Sequence, residues 1–523
     1  MKGIQWRKKD NNVNMIIKIL VALVFPILMC MFYCIKEGAW IGQLHLASTT
    51  NNDTLFYFAQ VAGVVEKGYP IGYFGYNESA AKCLSFGAWS PFMYIPWIIW
   101  GKLFGWVNAS PFWCNMLLFG VVLALFVYFA KLNAKQMMAS GVLLILFSAL
   151  SKYIMSCLAE IIVVCFVTVF YACALGYAKK ESAGKLIALF AISSYLTWMR
   201  PYFVLLVFLP IYFLFLRNKK VSIATLVVIP LVDMGIYFLV AEWFTAEYFW
   251  GLFSFDMIYV FLNNGLWQGF LYLFATVRDY FAELWGLMMQ SFQTGAHVGS
   301  YYALFFCVFL LVFLCLFHRT NKEDKKTWVV YLHYILSSVI SFFAFLLIMQ
   351  RVNETIRHIL CYIVVGLILL GIWCGKHTKY IWMCAVTACL SVYLFHFFPA
   401  SENDLRVPIA QEEAYEMDNV WKQINAQIEL DETQTPSYSN TIIWVITDQV
   451  DGQVSKTPWK CMLSAPAGTG ISCCLSEYLV TNWENLQSRY ICTVSDGCIA
   501  KMCEKEGYEK LGESHGSVLY KRY

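Results

Sequence analysis

Charge is scarce in this chain. Only 14% of its 523 residues are Asp, Glu, Lys or Arg, against 59% hydrophobic. A soluble globular protein carries nearer a quarter charged residues because its surface faces water, so a single soluble domain is excluded. Internal repeats and low-complexity tracts are missing too, which removes solenoids and disordered scaffolds. The polar tail lacks paired CxxC spacing, so its cysteines do not read as a zinc site. Gly468-Thr469-Gly470 lacks the Lys-Ser/Thr and the following helix of a phosphate loop. No small-residue cleavage site follows the first apolar run, Met15 to Ile35, which is preceded by Lys2, Arg7, Lys8 and Lys9. That run is expected to be an uncleaved signal anchor.

What is present is a series of apolar runs long enough to span a bilayer. After the first they fall at Phe112–Ala130, Met137–Met155, Leu158–Ala178, Val221–Val240, Tyr301–Phe317, Trp328–Met349, Ile359–Trp373 and Tyr380–Phe397. Basic clusters at Lys131/Lys135, Lys179/Lys180/Lys185, Arg217/Lys219/Lys220, His318 to Lys326 and Lys376/Lys379 are expected on the cytoplasmic side. One run, Leu186 to Leu216, is too long for an ordinary span, is basic at both ends and is interrupted by Arg200-Pro201. Proline removes a backbone donor and disfavours helix just before itself, so two short crossings are expected to meet at Arg200. The result is about eleven spans with the N-terminus cytoplasmic and the C-terminus extracytoplasmic.

The fold class expected is therefore mainly α: a polytopic helical membrane domain over 1–399, plus a small extracytoplasmic α/β domain over 400–523. The charge divides at the same place. Residues 400–523 hold 10 Lys+Arg against 18 Asp+Glu, and the remainder 28 against 16. Of the 19 cysteines, 13 precede residue 400, mostly in apolar runs such as those of Cys165, Cys173 and Cys384, where they pack as small hydrophobes. The other six (Cys461, Cys473, Cys474, Cys492, Cys498, Cys503) are left as disulfides or free thiols. Strands are expected at Thr441–Ile446, Arg489–Val494 and Ser517–Tyr520, with a helix Cys498–Glu506 closed by Gly507. Two long segments face outward besides the tail, 36–111 and 242–300. The second holds Trp243, Trp250, Trp267 and Trp285, and Phe270 to Phe292 reads as an amphipathic interfacial helix with Arg278, Asp279 and Glu283 on its polar side.

Function in a membrane protein concentrates in large loops and in charges at membrane depth. In the first outer segment, Asn51-Asn52-Asp53 opens a helix, Thr54 to Lys67. Asp53 there reads first as an N-cap, with a reacting carboxylate as the alternative. A Gly/aromatic loop, Gly68 to Glu78, follows and contains Tyr73 and Tyr76. Then Trp89-Ser90-Pro91 starts a second apolar helix that ends at Gly101-Lys102-Leu103-Phe104-Gly105. Asp233 is the only carboxylate deep in a span, and is either functional or hydrogen-bonded to a neighbouring helix.

This order resembles the GT-C integral-membrane glycosyltransferases, and in particular the family 39-like bacterial members and protein O-mannosyltransferases. Glu160, in Ser156-Cys157-Leu158-Ala159-Glu160, and Arg357, in Ile356-Arg357-His358, sit at span ends where those proteins place an Ala-Glu pair and an arginine. Many members have two adjacent acids in the first loop, whereas here Asp53 is flanked by Asn52 and Thr54. The resemblance implies a sugar donor on a polyprenyl phosphate and an extracytoplasmic acceptor: a cell-envelope glycan, a lipid or a protein. It also implies contact with membrane lipids and none with nucleic acid. Asp53 would be the general base of an inverting displacement. Arg200, Arg357, Arg278 and Lys82 would stabilise the leaving phosphate or anchor at the interface. Trp89 and Tyr76 would stack on substrate. Glu78 and Glu160 would position the acceptor, hold a divalent cation or serve structure; no cofactor is firmly implied. A transporter or lipid-sugar flippase is the alternative, although such proteins usually carry repeats and midplane charges.

Overall fold

The computed structural model describes residues 2–36, 38, 40–43, 52–70, 74–78, 90–245, 254, 256–294, 297–317, 325–349, 352–397, 412–431 and 438–523. In chain order the first half comprises α1 (Lys2–Lys36), α2 (Asn52–Lys67), strand β1 (Phe74–Tyr76), α3 (Ile95–Phe104), α4 (Ser110–Ala130), α5 (Ala134–Leu146), α6 (Ser148–Ile154), α7 (Glu160–Lys179), α8 (Ala183–Met199) and α9 (Phe208–Phe215). It continues with α10 (Lys219–Phe244), α11 (Asp256–Thr294), α12 (His297–Phe317), α13 (Lys325–Ala344), α14 (Val352–Lys376) and α15 (Ile381–His396). Among the described residues, eight helices are long and apolar enough to cross a membrane. The bent pair of α5 and α6, taken as one broken span, makes a ninth, and the runs 183–199 and 201–215 are shorter apolar helices. Counting those two as crossings gives the expected eleven.

The break at Arg200 falls where the sequence places it. Arg200 is extended (φ −149°, ψ 123°) and Pro201 begins a 3-10 turn, Pro201–Val207, that leads into α9. The expected single span Met137–Met155 needs correcting. It is two helices at 78° to each other. Phe147 leaves the helical basin (φ −87°, ψ 74°), and its buried ring lies edge-on to Tyr301 and Phe395, at 6.1 and 5.4 Å between ring centres. α11 is longer than expected and changes direction at Gly265 (φ 83°, ψ 167°), a conformation that glycine adopts without a Cβ clash. Its Leu262, Leu266, Trp267, Phe270 and Phe274 are exposed, as suits a lipid-facing surface. Trp250 lies outside the described residues.

All the basic clusters that are described fall at one end of the bundle: α4 and α7 finish there at Lys131 and Lys179, and α10 starts there at Lys219. At the other end Lys36 contacts His396 at 2.8 Å, bringing the ends of α1 and α15 together. Asp233 is buried and accepts hydrogen bonds from Ser194 (2.8 Å) and Trp198 (3.0 Å), so it ties α10 to α8.

The C-terminal part contains α16 (Glu412–Asn425), β2 (Thr441–Val450), β3 (Gln453–Lys456), β4 (Gly470–Leu475), α17 (Ser476–Asn482), β5 (Tyr490–Val494), α18 (Cys498–Lys505), β6 (Glu509–Ser514) and β7 (Ser517–Lys521). They form one seven-stranded sheet of order β1-β4-β2-β5-β7-β6, with β3 paired to β2 as a hairpin. β2, β4 and β5 run parallel, and β7 and β6 close the edge antiparallel. Their inward residues (Ile443, Val445, Ile491, Val518, Tyr520) pack with Leu479 and Ile499 in a core of their own. The six cysteines of this part are free thiols. What the sequence did not suggest is that β1, from the first loop, is a strand of this sheet. It runs parallel to β4 in the register Phe74–Ile471, Gly75–Ser472, Tyr76–Cys473.

Candidate active site at the domain-facing end of the bundle

Four charged residues predicted from four distant parts of the sequence meet at the end of the bundle that carries the sheet. Asp53 and Glu160 each stand in the first turn of a helix, where a negative charge complements the helix dipole. Asp53 forms an ion pair with Arg357, from the first turns of α14, and the two side chains are 27% and 30% exposed. Glu160 accepts a 2.7 Å hydrogen bond from Arg200, in the break after α8, and this pair is sealed off at 3% and 0% exposure. Charges so buried survive only when paired, because each would otherwise lose its hydration with nothing in return.

The helix that presents Asp53 is held by its neighbours. Trp106 Nε1 donates to the Phe58 carbonyl (3.0 Å) and Lys102 Nζ to that of Val65 (2.6 Å), so α2 is fastened to α3 and the turn after it. Trp97 of α3 donates to Asn115 Oδ1 at 2.8 Å. Asn115 in turn donates to the carbonyls of Ile154 (3.0 Å) and Ser156 (2.9 Å), just ahead of Glu160. The two carboxylates are thereby positioned by one hydrogen-bonded chain.

Two residues of the cluster had no role assigned from sequence. His358 Nδ1 lies 3.1 Å from Arg200 Nη1 and 2.9 Å from the Tyr202 hydroxyl. An arginine only donates, so Nδ1 accepts and the imidazole is the neutral form protonated on Nε2. The ring stacks on Phe345 at 4.4 Å between centres. Both residues are sequence neighbours of predicted arginines, and His358 stands inside the quoted Ile356-Arg357-His358. That adjacency was the available signal. Tyr57 and Tyr94, 5.5 Å apart, complete the surroundings. Burial foremost, with the negative charges of Asp53 and Glu160 after it, pushes both phenols well above their usual range, so they stay protonated.

The other candidates are placed elsewhere. The carboxylate of Glu78 accepts from the backbone N–H of Ser488 (2.7 Å) and of Gln487 (3.1 Å). Its own N–H donates to Ser472 Oγ (3.0 Å), and its carbonyl accepts from Tyr438 (3.2 Å). It is a clasp between the first loop and the C-terminal sheet. Tyr76, half-buried, is the last residue of β1. Arg278 is 67% exposed and pairs with its neighbour Asp279 at 2.8 Å, away from the cluster. Lys82, Trp89 and Tyr73 lie outside the described residues. Among the described residues no group of three or more His, Cys, Asp or Glu could hold a metal ion. The charge of Asp53 is felt in the sheet: burial first, then Cys474 and Asp53, push the Cys473 thiol upward.

The chain is similar to ArnT from Cupriavidus metallidurans. For the crystal structure of ArnT in the apo state the TM-score is 0.41 at 13% identity, covering 94% of this chain and 96% of that one. For ArnT bound to undecaprenyl phosphate it is 0.40 at 13% identity, covering 97% of each. No protein-family model and no curated protein matches the chain.

Proposed function

We propose that this chain is an integral-membrane glycosyltransferase of the GT-C kind, moving a sugar from a polyprenyl-phosphate carrier to an extracytoplasmic acceptor with inversion. The basic end of the bundle faces the cytoplasm, as the positive-inside rule requires, so the charged cluster and the sheet lie on the opposite face. The observation that carries the proposal is the pairing of Asp53 with Arg357 at a partly open position, within electrostatic reach of the sealed pair Glu160–Arg200.

The two pairs differ in what they allow. The cluster holds two cations and two carboxylates, so an incoming lipid phosphate must displace a carboxylate to reach an arginine. Glu160–Arg200 is too buried to exchange cheaply, and it serves as a fixed support. Asp53–Arg357 is the exchangeable pair. Phosphate takes Arg357, by the charge-assisted bonding that guanidinium groups offer to phosphoryl oxygens. Asp53, released from its partner, is then a carboxylate at hydrogen-bonding reach of an acceptor hydroxyl. It takes that proton as the hydroxyl oxygen attacks the anomeric carbon. The bond from that carbon to the phosphate oxygen breaks, and the electron pair leaves with the lipid phosphate, stabilised by Arg357 and the field of Arg200. A single displacement inverts the anomeric centre.

The test is release of polyprenyl phosphate from a radiolabelled lipid-linked sugar by purified protein, over a panel of such donors. Asp53→Asn is expected to lower turnover by about 10²-fold or more, the usual scale of a lost general base, with stability changed by no more than about 1 kcal/mol. A rate equal to wild type in that variant removes Asp53 from the chemistry.

A further inference from the structure

At the basic end of the bundle, far from the ion pairs, an apolar slot of about 410 Å³ opens between α1 and α5, with α4 as its floor. Its shape follows from how the three helices are held. α1 lies directly on α4: a Cβ on Gly120 would stand 2.4 Å from the Leu23 carbonyl oxygen. α5 is drawn the other way, onto α14. A Cβ on Gly371 would lie 2.5 Å from the Ser140 amide, Gln136 donates to the Ile372 carbonyl (3.2 Å) and Ser140 to that of Ile368 (3.1 Å). With α1 and α5 fixed to different partners, a wedge is left between them. Phe25 closes its deep end, 3.3 Å from where a Cβ on Gly141 would stand. Ile17 and Val21 form one wall, Met138 and Val142 the other, and Phe126 the floor.

The mouth of the slot is basic. Lys18 lines it and donates to the Leu132 carbonyl at 3.1 Å, reaching toward the end of the bundle. Lys131 and Lys135, both exposed, flank the α4–α5 turn beside it. None of the three pairs with an acid among the described residues. A slot with so little polar lining holds water poorly, whereas the surrounding bilayer supplies chains that fit it; basic pockets between membrane helices suit acidic lipid headgroups. We propose that this slot binds one anionic phospholipid from the leaflet at the basic end. One acyl chain lies along Val21, Phe126 and Val142, and the phosphate sits on Lys18, Lys131 and Lys135. The site stands apart from the proposed reaction and does not depend on it.

Native mass spectrometry of the full-length protein in detergent decides the matter, titrated with phosphatidylglycerol and with phosphatidylcholine of the same chains. Wild type is expected to bind one phosphatidylglycerol at least tenfold more tightly than phosphatidylcholine. The triple variant K18Q/K131Q/K135Q is expected to lose roughly a hundredfold in phosphatidylglycerol affinity, at the strength usual for lysines at an anionic surface, and nothing for phosphatidylcholine. V142W, which fills the slot, abolishes the one-lipid complex for both. Equal affinity for the two lipids in wild type overturns the proposal. So does undiminished phosphatidylglycerol binding by the triple variant, or by a folded V142W protein.

Discussion

Asp53 and Glu160 carry the same charge and each faces an arginine, yet their surroundings assign them opposite work. Glu160 has almost no exposure and its partner has none, so removing the charge strands a buried guanidinium. Glu160→Gln is therefore expected to destabilise the protein by about 3–5 kcal/mol, seen as early thermal unfolding in detergent. Asp53 and Arg357 are more than a quarter exposed. Solvent screens that pair, and Asp53→Asn should shift stability by no more than about 1 kcal/mol in the same assay. Equal losses in the two variants would contradict the division into a fixed and an exchangeable pair. All four residues were legible in the sequence as charges at the ends of apolar runs. Which acid faces which arginine was not, because the partners are separated by 304 positions in one pair and 40 in the other. No local pattern encodes contacts across that distance.

Among the elements, helices were read well, but of the seven strands only β2, β5 and β7 were expected; β1, β3, β4 and β6 were missed. Apolar runs of span length specify helix almost by themselves, since lipid offers no partner to an open backbone. β1 has three residues, in a loop whose glycines and aromatics suggest turns. It is a strand because β4 supplies its hydrogen-bonding partner, and Asn77 N–H continues the ladder onto the Cys473 carbonyl at 3.0 Å. The clasp at Glu78 fixes that pairing. Glu78→Ala is expected to leave the Gln487 and Ser488 amides without their acceptor and to cost about 1–3 kcal/mol locally. Hydrogen exchange at those two amides and in β4 should speed up while α18 is unchanged. Unaltered protection at Gln487 and Ser488 would remove the clasp. The bend at Phe147 escaped the sequence for a related reason: the rings that hold it, Tyr301 and Phe395, lie on α12 and α15.

In the whole molecule, the C-terminal part is joined to the helical bundle through more than the connection after α15. β1 belongs to its sheet, Asn108 donates to Asp418 of α16 at 2.7 Å, and the Glu78 clasp adds a third tie. Deleting residues 400–523 should therefore leave the first loop without its sheet and destabilise the membrane part. The expected result is loss of the monodisperse peak in detergent gel filtration. A well-behaved truncated protein with unchanged thermal stability would show two independent units instead.

The sequence by itself determined that the chain is a helical membrane protein with a polar α/β part after it, where most of its apolar helices lie, and which charges stand at their ends. Those features follow from local composition: hydrophobic length, the placement of basic residues and the interruption at Pro201. Only the tertiary structure decided that Asp53 pairs with Arg357 and Glu160 with Arg200, that Glu78 serves the sheet, and that a three-residue loop segment is a strand. Each of those depends on a partner far along the chain, and the energy of an ion pair or a strand ladder exists only once packing has brought the two sides together.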